Sequence, residues 1–250
     1  MENVEWRMWG GRGGTFDIEH SAFNIQHSAS VVMPSWFLLD PEPRADLARE
    51  DADLVIPAAL AERFIGEYSR PGEVVFDPFA GFGTVLAAAQ RMGRRGVGIE
   101  LHPQRFEHAR SVLAPPAAIL HGNALEIAID EVPPIDLMIT SPPYWDPEVD
   151  AFAAYDGPDP GYERHLALWE RLLARWTPRL REGGRVVVFV QNVLLPERAQ
   201  PLHPLAWDIG RLLARHLRFE REWIACARWT TSESERYGDH TYCLAARKDV

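Results

Sequence analysis

Two short stretches of this 250-residue sequence carry residue types that could do chemistry, and they recur at the ends of apolar runs. The first is Asp77-Pro78-Phe79-Ala80-Gly81-Phe82-Gly83-Thr84, lying between the β-branched run Val74-Val75-Phe76 and a helical stretch, Val85 to Met92. Glycines in a strand-to-helix turn let a ligand approach the backbone, and a helix start offers unpaired amides to an anion. Glu100 ends the following apolar run nineteen residues after Gly81, where a carboxylate can accept from ribose hydroxyls. A dinucleotide site would share this layout, but its third small residue would fall at Leu86, and Gly-x-Gly alone also fits a plain turn. The second stretch is Ser141-Pro142-Pro143-Tyr144-Trp145, at the exit of the run Ile135 to Ile139. It joins a small hydroxyl and two prolines, which fix φ, to two large aromatic rings.

The surrounding pattern says how these stretches are held. Leu60, Phe64 and Ile65 have helical spacing, closed by the turn Ser69-Arg70-Pro71-Gly72. Strands are expected at 74–76, 96–100, 118–120, 137–139, 185–190, 223–229 and 241–246, with helices at 85–92, 103–113 and 205–217. A longer amphipathic helix places Leu166, Trp169, Leu172, Leu173, Trp176 and Leu180 on one face and closes at Gly183-Gly184. Strand alternating with helix predicts a parallel sheet covered on both faces. The last two strands have no helix between them and are read as antiparallel. The fold class is therefore α/β: a doubly wound, mostly parallel sheet of about seven strands with a C-terminal antiparallel hairpin.

Composition bounds the function. With 46% hydrophobic residues the chain can bury one full core, expected over 36–250, whereas residues 1–35 read as a disordered extension, with Met33 as an alternative start. No signal peptide and no run long enough to span a bilayer is visible, so a cytoplasmic protein without membrane partners is expected. Cys226 and Cys243 have no metal or redox spacing, and His102, His121, His203 and His216 none for ligation, so no metal is expected. Neither cysteine follows a proline, and Ser111 and Ser232 lack a nucleophile-elbow context. A net charge of −10 argues against a protein that coats nucleic acid but not against an enzyme with a local basic cleft. Arg164, Arg171, Arg175, Arg179 and Arg181 form a phosphate track or, since Glu163, Glu170 and Glu182 interleave, a solvated face.

Taken together, Asp77 with its glycine turn, Gly98-Ile99-Glu100-Leu101, Gly122-Asn123-Ala124 and Thr140-Ser141-Pro142-Pro143-Tyr144 resemble the S-adenosylmethionine-dependent amino-methyltransferases of DNA. The resemblance runs from about Asp53 to Lys248 and implies a Rossmann-like methyltransferase sheet. It implies a cofactor site of Pro57, Asp77, Pro78, Phe79, Gly81, Gly83, Thr84, Glu100, Leu101, Asn123 and Ala124 for S-adenosyl-L-methionine. Asp77 and the amides of 79–84 would meet the ammonium and carboxylate of its methionine end, Glu100 the ribose and Asn123 the adenine amino group. Two positions depart from the family's pattern: Asn123 where an aspartate is usual, and Ile56 before Pro57 where a polar residue is frequent.

The same resemblance gives Ser141, Pro142, Pro143 and Tyr144 as the transfer site. An exocyclic base amine is a poor nucleophile because its lone pair is delocalised into the ring. Ser141 Oγ and the Pro142 carbonyl would accept its two N–H groups, and Tyr144 would stack on the extruded base. Trp145 lines that pocket or packs beneath the next loop, Asp146 to Tyr162, which is long enough for a lid. The serine form of the motif resembles enzymes of cytosine N4 more than those of adenine N6. DNA is the expected partner; RNA, another amine, or cofactor binding without transfer are the alternatives, and a restriction endonuclease is an admissible partner. There is no room for a large recognition domain, and the candidates for reading a site are residues 1–52, 146–162 and 191–204.

Overall fold

A computed structural model describes residues 35–40, 55–143, 145, 161–195, 202–227 and 240–249, all within the compact unit Pro34–Val250. The expected extension (Ser35 apart), Tyr144 and residues 146–160 of the expected lid lie outside the described residues. The strands are β1 (Trp36–Leu39), β2 (Val74–Asp77), β3 (Arg95–Glu100), β4 (Ala118–His121), β5 (Ile135–Thr140), β6 (Leu180–Val190), β7 (Val193–Leu194), β8 (Leu202–His203), β9 (Arg218–Ala227) and β10 (His240–Arg247). The helices are α1 (Ala58–Tyr68), α2 (Thr84–Arg91), α3 (Pro103–Val112), α4 (Tyr162–Trp176) and α5 (Leu205–His216).

Among the described residues eight strands form one sheet in the order β1-β9-β10-β6-β5-β2-β3-β4, while β7 and β8 pair separately. β4, β3, β2, β5 and β6 run parallel, and β10 is antiparallel to both β6 and β9. This is the doubly wound sheet expected from the alternation of strands and helices, closed by the expected antiparallel pair. Within the apolar strands a period of two still sorts the side chains. Phe76, Met138 and Val188 face α4 and α5, whereas Val75, Leu137 and Val187 face α1 and α2. Both faces are covered, which is why the central strands read as unbroken apolar runs.

The structure departs from the sequence reading in the unexpected β7–β8 pair, in β9 starting at Arg218, and at three further places that shape the main sheet. β1 adds an eighth strand, parallel to β9, with Phe37 against Phe64 and Trp223 at ring separations of 6.4 and 6.5 Å. The long helix ends at Trp176 because Pro178 has no N–H for the carbonyl four residues back, and a 3₁₀ turn, Thr177–Arg179, follows. Leu180 is therefore strand, not helix, and Gly183-Gly184 lie inside β6. There the pairing jumps from Ile135↔Leu180 to Leu137↔Arg185, a bulge that Gly183 permits at φ 75°. The sole lysine, Lys248, caps this junction by donating to the carbonyls of Thr177, Pro178 and Leu180.

Leu86 resolves the missing third glycine. A β-carbon on Gly96 would lie 3.0 Å from Leu86 Cα, and one on Gly98 would lie 2.9 Å from Leu86 Cδ2 and 2.8 Å from Ala80 Cβ. The close approach of helix to strand is thus present, supplied by two glycines on β3 instead of one on α2. Among the described residues no helix is long and apolar enough to cross a membrane.

Candidate active site

The sheet order sends the helical connections of β2 and β3 to one side of β2 and those of β5 and β6 to the other. The crevice between the carboxyl ends of β2 and β5 is the topological switch point, where ligands bind in such sheets. Asp77 ends β2 there, 1% exposed. Its Oδ1 accepts from the Phe79 amide at 3.0 Å and from Thr140 Oγ1 at 2.6 Å. Burial pushes the Asp77 carboxyl up to about 7, against the pull of these two donors and with a smaller push from Glu100.

The sign of this shift carries a prediction. Between pH 4 and 7 the folded carboxyl keeps a proton that the unfolded chain has lost, so Asp77 favours folding at low pH and loses that contribution as pH rises through about 7. Asp77→Asn keeps an acceptor for Thr140 and Phe79 but removes the buried charge. The ligand-free variant should melt above the parent at pH 8 and close to it at pH 4; an equal difference at both would show the carboxyl to be unshifted.

The turn after Asp77 is fixed from β3. Ala80 N donates to Ile99 O at 2.9 Å, and Gly81 N donates to Glu100 Oε2 at 2.7 Å. Gly83, at φ 84°, caps α2; a β-carbon there would come within 3.0 Å of Ala109 Cβ. Gly81, at φ 53°, has nothing within 4 Å of a β-carbon, which leaves room for a ligand against the backbone. As the N-cap of α2, Gly83 has no side chain with which to cap the first turn. Pro78 is buried and Thr84 half-buried at the helix start. Phe82 instead turns outward to α3, edge-on to His108 at 5.2 Å.

Glu100 is 5% exposed and spans two loops: Oε2 holds Gly81, and Oε1 accepts from the His102 amide at 2.7 Å. A carboxylate has about four lone-pair sites, so acceptor capacity remains for hydroxyls. After β4, Gly122 N donates to Glu100 O at 3.0 Å, and Ala124 O accepts from Trp176 Nε1 at 3.0 Å. Asn123 Oδ1 accepts from Leu125 N at 2.8 Å, so the oxygen expected to meet an adenine amine already holds its own loop. Leu101, Leu125 and Phe79, all half-buried, pack around Leu168 as an apolar surface beside Glu100. Leu125 and Leu168 were not distinguished by the sequence, since a leucine in a loop and one on an amphipathic helix carry no chemical signal.

Across the crevice Ser141 is half-buried, Pro142 buried and Pro143 half-buried. Trp145 is 7% exposed and packs on Tyr162 and His203, at ring separations of 5.0 and 4.3 Å. Tyr162 donates to Asp208 Oδ2 at 2.7 Å, and burial raises its hydroxyl pKa. Pro57 stands before α1, its carbonyl accepting from Leu60 and Ala61. Ile56 packs on the α1 and α2 side of the core, which accounts for an apolar residue at that position. The arginine row is largely engaged inside the chain: Arg175 donates to Ile127 O, Arg179 to Val132 O, and Arg181 pairs with Asp136.

Comparison with known proteins first gives the class. The fold is that of the S-adenosylmethionine-dependent methyltransferases. TrmN from Thermus thermophilus is similar at TM-score 0.54 and 20% identity, over 76% of this chain and 48% of that one. A SAM-dependent methyltransferase from Methanosarcina mazei is similar at TM-score 0.53 and 12% identity, over 75% and 97%. By sequence, residues 40–111 match the family model described as DNA methylase. Type II methyltransferase M.HpaI from Haemophilus parainfluenzae is 39% identical over 57 residues, 23% of this chain and 18% of that protein. The chain thus matches about a fifth of this curated relative. The family match spans the glycine turn and Glu100 but stops before Ser141.

The residues present fit the cofactor that this class implies. A buried carboxylate that burial penalises, Asp77, suits an ammonium; the space over Gly81 suits a ligand lying on the backbone; Glu100 suits a ribose; and Leu101 with Leu125 suits an adenine face.

Proposed function

We propose that this chain is a methyltransferase that moves a methyl group from S-adenosylmethionine to an exocyclic amine of a nucleic-acid base, cytosine N4 in DNA. The observation that carries this reading is the juxtaposition at the switch point. The cofactor turn and Glu100 stand on one side, Ser141-Pro142-Pro143 on the other, and the Asp77–Thr140 hydrogen bond joins them. When bound, S-adenosylmethionine supplies an electrophilic methyl on a positively charged sulfur. Asp77 and the amides of 79–84 hold its methionine end, Glu100 its ribose, and Leu101, Asn123, Ala124 and Leu125 its adenine.

The acceptor side explains the prolines. Neither Pro142 nor Pro143 carries an N–H, so no backbone donor of the two prolines competes with an incoming amine for the acceptors beside them. The Pro142 carbonyl and Ser141 Oγ accept from the two amine hydrogens and stabilise the charge that develops as the N–CH₃ bond forms and the S–CH₃ bond breaks, after which the nitrogen sheds one hydrogen to solvent as a proton. Fixed φ angles pre-aim both acceptors, and orienting two reactants in this way can remove roughly 7–11 kcal/mol of barrier. Tyr144 offers a face to a base rotated out of its stack. The serine at position 141 supports cytosine N4.

Two measurements test the reading together. S-adenosylmethionine, and not NAD, should raise the melting temperature of the purified chain. Tritium from methyl-labelled cofactor should then enter DNA in preference to RNA or bulk protein. Stabilisation by NAD alone, or label only in protein, would overturn it.

A further inference from the structure

Thr140 has no part in the chemistry just described, yet it is the side chain that bridges the two halves of the site. Every other inward residue of β5 is apolar: Ile135, Leu137, Met138 and Ile139 are fully buried, as is Thr140. A hydroxyl in such a strand costs about 1–3 kcal/mol unless it is hydrogen-bonded. Thr140 Oγ1 donates to Asp77 Oδ1 at 2.6 Å, across 63 residues of sequence. The backbone pairing of β2 with β5 runs through Val75↔Leu137 and Phe76↔Met138, and the Thr140 side chain supplies the link beyond it. Asp77 Oδ1 also holds the Phe79 amide, so one oxygen ties the start of the glycine turn to the residue before Ser141.

We propose that Thr140 is a positioning residue. Its hydroxyl locks the Ser141 and Pro142 acceptors to the carboxylate of the cofactor turn, so that filling one half of the site sets the other and fixes the distance over which the methyl moves. This rests on the function proposed above. Because the Thr140 and Phe79 donors both meet Oδ1, a cation that approached Oδ2 would tighten the bond without competing for it.

The test compares Thr140→Val, which keeps shape and loses the hydroxyl, with Thr140→Ser, which keeps the hydroxyl. Hydrogen exchange is followed in peptides covering 77–90 and 135–145, with and without S-adenosylhomocysteine, alongside the affinity for that ligand and single-turnover methyl transfer. In the parent and in Thr140→Ser, the ligand should slow exchange in both peptides. In Thr140→Val, slowing should persist in 77–90 and fall at least about fivefold in 135–145, with transfer reduced roughly 10²-fold, the loss that a small misplacement of reacting groups can cause. Should Thr140→Val fail to fold, Thr140→Ala carries the same comparison. Exchange and transfer in Thr140→Val that match the parent, or equal losses in Thr140→Ser, would overturn the coupling alone. Failure of the parent chain to bind S-adenosylhomocysteine would instead overturn the function on which it rests.

Discussion

Glu100→Ala is expected to weaken S-adenosylmethionine binding by at least about 10²-fold in calorimetric titration. Each hydrogen bond to a charged group contributes about 1.5–3 kcal/mol, and the Glu100 carboxylate makes two within the chain before any ligand arrives. Removing it frees Gly81 on the cofactor turn and His102 at the start of α3, so the cradle loses its shape as well as its ribose acceptors. The geometry also foretells an unusual result for the conservative change. Glu100→Gln leaves one oxygen and one NH₂ group facing two backbone N–H donors, so one end must set donor against donor. Glutamine should recover less than tenfold of the loss. Affinity within about threefold of the parent in either variant would show that Glu100 does not face the ribose.

Ser141→Ala and Tyr144→Ala should do the opposite, leaving S-adenosylmethionine affinity within about threefold while turnover collapses. Ser141 lies one residue beyond the Asp77–Thr140 bond, on the acceptor side, and its oxygen acts on a nitrogen only as charge develops there. Loss of a single such acceptor costs about 10²–10³ in turnover. Tyr144 is assigned from the motif, and removing its ring should abolish transfer to duplex DNA more completely than to single strands, where the base is already unstacked. Unchanged turnover in both variants, measured at saturating cofactor, would remove the motif from the mechanism.

The sheet was legible because its strands are apolar runs separated by helices with clear periodicity, and the alternation leaves little choice of topology. β1 escaped because four residues, Trp36 to Leu39, give too short a pattern, and half of them are exposed on an edge strand. Gly183-Gly184 looked like a helix stop because glycine marks a bulge and a terminus with the same letter. Leu86 looked like a defect in a glycine motif because the compensating glycines sit on the neighbouring strand, ten and twelve residues away. The candidate site divides along similar lines. Asp77, Glu100 and Ser141 carry chemistry in their own side chains and stand out. The Thr140 bond, the Trp176 indole on Ala124 and the capture of Asn123 by Leu125 are relations between distant residues or between a side chain and its own backbone, which residue types alone do not display. The arginines show the converse: five positive charges read as a solvated face or a phosphate track, and three of them find carbonyl or carboxylate partners within the fold.

The central claim is that the methyl group goes to an exocyclic amine. DNA incubated with the chain and methyl-labelled S-adenosylmethionine, digested to nucleosides and separated by chromatography with mass detection, tests it most directly. The account predicts label in N4-methylcytosine, absent from the Ser141→Ala and Tyr144→Ala reactions. Label in N6-methyladenine would keep the site and change the base. Label in 5-methylcytosine, where a ring carbon and not an amine has been the nucleophile, would contradict the account.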